Sequence, residues 1–282
     1  MHVGFGIPND FTVIPNYESF PNGNNWFYPY VGAKNDGQIA AHTSHAIPYQ
    51  FGSSVRIANL PNNETLAPYV TVSTFGSYVY AIKPNIHSSG AFTVPSTLGY
   101  ASVNLDDSVI GLDAGNVDND SGDEIVAGTW LDTGGRTQWT GSQPWLSNRA
   151  HVHILKAPIS GTSPRIFTEQ ARLDGDDLCG QGQGIGSGVT GVKIDDVDGD
   201  GRNEIWAGDA VGHIYLFRRH AGTSLAWSCI FRSDDLGAYV GRYNGIYPIK
   251  DLAGHTARLV IMTAGYVYAF DVAWNSLGPP PP

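Results

Sequence analysis

The chain of 282 residues is poor in charged side chains, and above all in basic ones. Charged residues make up 15% of it, with 16 Lys and Arg against 26 Asp and Glu, for a formal net charge of -10. A protein that binds nucleic acid presents a basic surface to the phosphates. The charge balance offers no such surface, so we expect cations, and not nucleic acid, as partners.

Long apolar runs are also absent. A helix that crosses a bilayer needs about 18 or more consecutive apolar residues, and no segment approaches that length. The sequence therefore predicts no membrane insertion. The 35 Gly, 17 Pro, 14 Tyr and 7 Trp are typical of many short strands joined by tight turns. We expect an all-β protein.

Cysteine is limited to Cys179 and Cys229, which lie 229 - 179 = 50 residues apart without the CxxC spacing of a zinc site. A disulfide between them would stabilise the fold by roughly 3 to 5 kcal/mol in an oxidising compartment. Two buried free thiols are the alternative, since unpaired cysteine is commonly buried. Both interpretations stay open.

Two acid-rich segments align without a gap. They are NVDNDSGDEIVAG (116–128) and DVDGDGRNEIWAG (196–208), with an offset of 196 - 116 = 80. An apolar run precedes each one, and two short apolar segments follow. The pattern predicts a repeated unit of strand, acidic loop, strand, turn and strand.

The last strand of the unit recurs four times, around Tyr80, His153, Tyr215 and Tyr268, with steps of 73, 62 and 53 residues. Repeats of this length predict a β-propeller of about five four-stranded blades, with an incomplete six- or seven-bladed ring as the alternative.

The same repeats give the domain boundaries. Residues 50–273 hold the blades, and residues 1–49 are interpreted as a degenerate blade or closing strands. Residues 274–282 form a Pro-rich tail or linker, which cannot join a sheet because proline lacks the backbone donor. Docking of this tail on a neighbouring copy would give self-assembly.

The second acidic loop places oxygen donors at alternate positions. Asp196, Asp198 and Asp200 occupy positions 1, 3 and 5, the backbone carbonyl of Arg202 serves position 7, and Glu204 closes the loop at position 9. A donor set made only of oxygens selects a hard cation, and calcium fits best. An EF-hand is excluded because its closing glutamate stands at position 12.

The first acidic loop repeats this arrangement with one carboxylate fewer. Its donors are Asn116, Asp118, Asp120, the carbonyl of Gly122, and Glu124. Because calcium affinity follows the charge of the ligands, the sequence predicts two calcium sites, of which the Asp196 loop is the stronger.

The two loop sequences resemble the calcium loops of FG-GAP/VCBS repeats, which build integrin α-subunit propellers and several secreted lectin-like propellers. The resemblance covers about residues 50–273, strongly in two blades and weakly in two. It implies a calcium-dependent propeller that is extracellular or on the cell surface, and that acts in adhesion, in glycan binding or as an appendage of a larger secreted protein.

Motifs of catalysis are missing from the sequence. It has neither a GxSxG nucleophile elbow nor a phosphate loop ending in Gly-Lys-Ser/Thr, so we expect no enzyme. An insertion after the first acidic loop carries Trp130, Trp139 and Trp145. These rings suit contact with a glycan or a protein, or else they fill a local core, and both interpretations stay open.

Three functions follow from these observations. The first is an extracellular calcium-stabilised binding or adhesion module that recognises a glycan or an extracellular protein. The second is a structural subunit of an extracellular filament or surface assembly. A polysaccharide-degrading enzyme ranks last, because sequence alone brings no pair of carboxylates together across a cleft.

Overall fold

The fold is known from a computed structural model, in which every regular element of the described residues is a β-strand except a short 3-10 helix, Trp274–Ser276. Backbone and side chains are described for residues 54–62, 65–73, 78–83, 99–103, 105, 109–130, 150–161, 164–173, 185, 188–221, 226–241 and 245–276. The backbone alone is described for the strands of residues 3–39 and for residues 52–53, 74, 85–86 and 92–93. The protein is all-β.

The strands form five sheets, numbered here I to V in chain order, and a two-stranded hairpin. Sheet I consists of β1 (Val3–Phe5), β2 (Phe11–Ser19), β3 (Asn25–Asn35) and β4 (Gln38–Ile39). Sheet II consists of β5 (Gly52–Asn62), β6 (Thr65–Thr74), β7 (Val79–Ile82), β10 (Tyr100–Ala101) and β14 (Arg165–Ile166). The hairpin pairs β8 (Asn85–Ile86) with β9 (Phe92–Thr93).

The next three sheets hold the two acidic loops and the end of the described chain. Sheet III consists of β11 (Val109–Gly115), β12 (Glu124–Thr129), β13 (Val152–Lys156) and β15 (Thr168–Leu173). Sheet IV consists of β16 (Val189–Asp195), β17 (Glu204–Asp209), β18 (Ile214–Arg219) and β19 (Trp227–Arg232). Sheet V consists of β20 (Ile246–Lys250), β21 (Thr256–Met262) and β22 (Val267–Asp271).

Sheets III and IV are built to the same plan. Each is an antiparallel meander. The pairing of the first two strands ends with Gly115 opposite Glu124 in sheet III, and with Asp195 opposite Glu204 in sheet IV. Their second strands, EIVAGT and EIWAGD, are buried at every position. A short continuous apolar run is typical of a strand that is covered on both faces.

Neighbouring sheets pack through their first strands, in the order β5 on β11, β11 on β16 and β16 on β20. Each interface holds its own apolar core, and a fully buried aliphatic or aromatic side chain contributes about 1.5–3 kcal/mol. Leu60 and Leu112 belong to the core between sheets II and III, and Ile154 and Phe217 to the core between sheets III and IV. Leu216 and Leu259 belong to the core between sheets IV and V. Sheets II to V therefore form one packed series.

The number of strands in a sheet is not always the four that the repeats predict. The chain leaves sheet III after β13, adds β14 to sheet II in parallel with β10, and returns to sheet III as β15. Phe167, between β14 and β15, is buried in the core between these two sheets. Sheet II therefore has five strands, and sheet V has three within the described residues.

Glycines allow the backbones of neighbouring sheets and of the segment before sheet V to approach closely. A Cβ atom on Gly191 would lie 2.0 Å from the carbonyl oxygen of Gly241, and one on Gly111 would lie 3.1 Å from the carbonyl carbon of Gly191. Real Cβ atoms do not reach the first of these distances, so the backbone contact requires glycine.

Replacement of Gly191 by Ala should lower the stability by about 1–3 kcal/mol, because the new methyl group would collide with backbone. Thermal unfolding followed by circular dichroism measures the change. Gly265→Ala is the matched control, since nothing lies within 4 Å of its added Cβ. Equal melting of the two variants would show that Gly191 is not in backbone contact with Gly241.

Candidate metal centre

The second acidic loop, residues 196–203, joins β16 to β17 and is folded by its own aspartates. Asp196 accepts hydrogen bonds from the N–H groups of Gly199 (2.8 Å) and Gly201 (3.0 Å). Asp198 and Asp200 each accept one from the residue two positions on, at 3.3 and 2.8 Å. Such bonds from an aspartate to the following backbone stabilise tight turns.

The first acidic loop, residues 116–123, joins β11 to β12 in the same way. Asn116 accepts from the N–H of Asn119 at 2.7 Å, and Asp118 accepts from that of Asp120 at 3.0 Å. Asn119 has a positive φ of 65°, where the second loop has Gly199 at 75°. Asparagine tolerates this left-handed conformation better than most residues.

The closing glutamates are the most deeply buried acids of the two loops. Glu124 and Glu204 are each 1% exposed. In each, Oε2 accepts the N–H of position 2 at 2.9 Å, from Val117 and Val197 respectively. Burial raises the pKa of both carboxyl groups to about 7, although the hydrogen bonds from Val117 and Val197 lower it. An ionised carboxylate at either position therefore needs a cation beside it.

Carboxylates of each loop converge on one point. Oxygens of Asp118, Asp120 and Glu124 lie within 4.8 Å of one another, and so do those of Asp196, Asp198 and Glu204. The structure thus brings together three of the predicted calcium ligands in each loop. The backbones of Gly122 and Arg202, predicted at position 7, lie within the loops and donate their N–H groups to Asp120 and Asp200.

A basic side chain from the third strand reaches the same oxygens in both sheets. Lys156 Nζ on β13 contacts Asp118, lies 2.5 Å from Asp120 Oδ2 and lies 3.4 Å from Glu124 Oε1. Burial raises the pKa of Asp118, but the hydrogen bonds from Lys156 and Gln170 outweigh it and leave that pKa below its usual value. Lys156 therefore neutralises part of the first loop.

Arg218 has the equivalent place on β18. Its Nη2 lies 2.5 Å from Asp198 Oδ2 and its Nε lies 2.9 Å from Glu204 Oε1. No ion pair reaches Asp196 or Asp200 within the part of the chain that the structure describes. The side chains of Asp196 and Asp200 are therefore left clear of Arg218.

Lys156 and Arg218 were not predicted from the sequence, although their shared spacing from a histidine is a signal for them. Lys156 and Arg218 each stand five residues after the histidine that precedes the third strand, since 156 - 151 = 5 and 218 - 213 = 5. The acidic segments align by an offset of 80, whereas the third strands are offset by 62 because of the insertion, and this difference hid the equivalence.

The loops also connect neighbouring sheets. Asp123 in the first loop exchanges two hydrogen bonds with the backbone of Asn59 in sheet II, at 2.6 and 3.0 Å. Asn203, the same position of the second loop, donates to the carbonyl of Asn116 at 2.6 Å. Since position 8 contacts the preceding sheet in both cases, a rigid loop stabilises the packing between sheets.

The corresponding turn of sheet V offers a single carboxylate. Asp251 accepts the N–H groups of Ala253 at 2.8 Å and His255 at 3.0 Å, and its other oxygen lies 3.1 Å from His255 Nδ1. This turn is folded by one aspartate, without the converging oxygens of the two acidic loops.

The other predicted residues are only partly described. Trp130 is half-buried and stacks on Tyr239, with ring centroids 5.8 Å apart and an interplanar angle of 11°. Cys229 lies on β19 and is disulfide-bonded. Cys179, Trp139 and Trp145 lie outside the described residues, as do residues 277–282 of the Pro-rich tail. Trp130 therefore contributes to packing between sheet III and the segment before sheet V.

A second polar group lies in sheet III. His153, 1% exposed, holds Glu169 through Nδ1 at 3.2 Å, and Arg172 Nε lies 2.8 Å from the same carboxylate. The ring of His151 lies 5.8 Å from that of His153. The hydrogen bond from His153, together with Arg172, lowers the pKa of Glu169 to about 2 despite partial burial.

The chain resembles solved structures but no known family. No protein-family model and no curated protein matches the chain. A crystal structure of Sqt1 from Chaetomium thermophilum is similar over 94% of this chain and 66% of that one, with a TM-score of 0.47 and 10% sequence identity. The chain thus spans somewhat less than two thirds of that protein's length, and a likeness this distant establishes no shared function.

The contacts of Glu169 predict a loss of stability in acid. Because its pKa is depressed from 4.5 to about 2, its contribution is present above pH 4.5 and is lost as the pH falls toward 2. Melting temperatures across this range should fall more steeply for the wild type than for Glu169→Gln. Asp271→Asn, which alters an 84%-exposed side chain, is the control and should follow the wild type. Parallel curves for all three proteins would contradict the assignment.

Proposed function

We propose that the chain is an extracellular calcium-stabilised β-propeller of the FG-GAP/VCBS type that binds a glycan or an extracellular protein. The observation that carries the proposal is the pair of equivalent loops, each with three carboxylates converging at the start of a buried second strand. The packing of sheets II to V through their first strands, in chain order, supports the ring of blades.

Calcium fits the donor set of both loops. Every converging group is an oxygen, and hard cations prefer carboxylate and carbonyl oxygen. Asp196, Asp198, Asp200 and Glu204, with the Arg202 carbonyl, would hold one ion. Asn116, Asp118, Asp120 and Glu124, with the Gly122 carbonyl, would hold the other. A bound ion would supply positive charge that pins these loops, and through them the contacts between sheets.

Calcium can bind these carboxylates only if it displaces the two basic side chains that contact them. Lys156 and Arg218 already lie against the oxygens that a metal would use. A divalent ion carries twice their charge and binds more oxygens at once, so it displaces them from the carboxylates. Because the second loop keeps two aspartates clear of Arg218, it is the stronger of the two proposed sites.

A location outside the cytoplasm is proposed from the same features. Extracellular calcium is abundant enough to fill sites of modest affinity. A disulfide at Cys229 agrees with an oxidising compartment. Within the described residues, no helix has the length and hydropathy needed to cross a membrane.

A structural subunit of a surface assembly is the second candidate. The side of sheet V that faces away from its core exposes Tyr247, Ile249 and Val267 at 52%, 48% and 67%. In sheets III and IV the first strands pack on the next sheet, and the first and third strands are mostly buried. An apolar sheet face of this kind is typical of an interaction surface.

Calcium binding can be tested with Asp200→Asn. This change removes one charge while Oδ1 can still accept the N–H of Arg202. Calcium should raise the melting temperature of chelator-treated wild type, and the variant should need roughly tenfold more calcium for the same shift. Asp271→Asn, with the same chemical change on an exposed strand, should respond like the wild type. Absence of any calcium-dependent shift in the wild type would remove the metal from the proposal.

Ligand recognition can be tested on a glycan array in calcium buffer. We expect selective binding by the wild type that is lost in Trp139→Ala and kept in Trp274→Ala, whose ring stacks on His255. Sedimentation of the same sample distinguishes the second candidate. If the protein binds no glycan on the array and forms concentration-dependent oligomers, the structural subunit is favoured over the binding module.

A further inference from the structure

Sheet V ends on a strand that has a single neighbour. Sheets III and IV each have a fourth strand, β15 or β19, beside the third. The third strand of sheet V, β22, pairs with β21 alone among the described strands. Sheet V therefore has an open edge at the place where the two preceding sheets have one more strand.

The hydrogen bonds between β21 and β22 show which backbone groups of β22 remain unpaired. Val272 donates its N–H to the carbonyl of Ala257 at 2.9 Å, and the carbonyl of Tyr266 accepts the N–H of Thr263 at 2.8 Å. In a regular antiparallel pair, every second residue bonds to the partner strand, and the residues between them face away from it. The even-numbered residues of β22 therefore bond to β21, since the register is regular throughout.

Three residues of β22 direct their backbone groups outward as a result. They are Val267, Ala269 and Asp271, and all three are exposed, Val267 by 67%. Within the part of the chain that the structure describes, no hydrogen bond occupies their N–H and C=O groups. Such a row of unpaired donors and acceptors is a template on which another strand can pair.

This edge lacks the protection that the outer strands of sheets III and IV have. Edge strands are commonly protected by charged side chains, by proline or by a bulge. β15 carries Glu169 and Arg172, β19 carries Arg232, and a register shift interrupts the pairing of both strands. The pairing of β22 has no shift, and its sequence, VYAFD, holds one charge, at the end.

The residues that follow β22 leave its edge open. The ring of Trp274 stacks on His255, with centroids 3.6 Å apart. Because His255 lies in the turn between β20 and β21, residues 272–276 cross the end of the sheet and do not return along β22. Residues 279–282 are prolines, which lack the N–H that a ladder needs. Neither segment supplies the missing strand.

The backbone of a second β22 is complementary to this edge in antiparallel register. When Ala269 lies opposite the same residue of a second copy, Val267 lies opposite Asp271. The outward-facing residues of the two strands then oppose each other, so all of their N–H and C=O groups can bond. The strand is thus its own partner in this register, as a two-fold axis requires.

The side chains of β22 agree with the same register. Tyr268 and Phe270 of opposite copies become neighbours at the closer type of pair, where aromatic side chains attract each other. The two Asp271 side chains lie at opposite ends of the paired strands, and each stays 2.9 Å from Arg258 of its own chain. Like charges therefore do not oppose each other across the axis.

We propose that two copies of the chain associate by antiparallel pairing of their β22 strands about a two-fold axis at Ala269. This pairing joins the two copies of sheet V into one continuous sheet. The proposal rests on the second candidate function, the structural subunit, and names its partner and its surface. It requires neither calcium nor a glycan.

Sedimentation velocity from about 1 μM to 1 mM tests the association, because pairing along one strand is a small interface and gives weak binding. We expect a monomer–dimer equilibrium, in chelator and in calcium alike. Ala269→Pro removes the N–H at the axis and no bond to β21, so the variant should fold and dimerise roughly tenfold or more weakly. Ala269→Ser keeps the N–H and is the matched control, which should dimerise like the wild type.

Cross-linking tests the register without the proline. Opposed residues that exchange hydrogen bonds have Cα atoms about 5.5 Å apart, which a disulfide can span. Mild oxidation should therefore convert Ala269→Cys to a covalent dimer on a non-reducing gel. Gly265→Cys, whose added side chain has nothing within 4 Å, lies away from the axis and should stay monomeric.

A wild type that stays monomeric over the whole concentration range would overturn the proposal. So would dimers of Ala269→Pro as stable as those of the wild type, or an Ala269→Cys that does not cross-link. Tyr247→Ser alters the exposed face at the far side of the sheet, and loss of dimers in this variant would assign the contact to that face instead. Melting curves show that each variant is folded, and the glycan array tests ligand recognition separately.

Discussion

Carboxyl groups buried at the start of a strand are the constraint on which the rest of this structure depends. Glu124 and Glu204 lie at the first position of β12 and β17, almost entirely out of water, and each holds the backbone N–H of loop position 2. Burial favours the neutral acid and raises the pKa of both groups to about 7, even with Lys156 and Arg218 beside them. The acidic loop therefore requires a nearby cation, and the architecture around it is arranged to supply one.

Two sources of positive charge serve the same oxygens. The chain supplies Lys156 in sheet III and Arg218 in sheet IV, from equivalent positions of the third strand. The proposed divalent ion would supply more charge and more bonds. Because position 8 of each loop bonds the sheet before it, a cation in the loop also stabilises the contact between sheets. On this account metal binding and sheet packing are one property.

Much of this arrangement can be predicted from sequence, because the same residue pattern repeats along the chain. The fold is all-β, and both acidic segments form loops, as the sequence predicts. The predicted third strands are found at Tyr80, His153, Tyr215 and Tyr268. Lys156 and Arg218 escaped prediction because an insertion shifts them out of the 80-residue offset. The addition of β14 to sheet II could not be foreseen, since a two-residue strand has no periodicity and its pairing depends on long-range burial of Phe167.

The competition between the ammonium group of Lys156 and a divalent ion is most directly measured by calcium titration calorimetry of chelator-treated Lys156→Met. Lys193→Met is the matched control, since both lysine side chains are 34% exposed but Lys193 pairs with Asp113 outside the loops. We predict that Lys156→Met melts at a lower temperature than the wild type without metal, binds calcium more tightly at the first loop, and regains stability on binding. Calcium affinity that is identical in all three proteins, or absent from all three, would contradict the account.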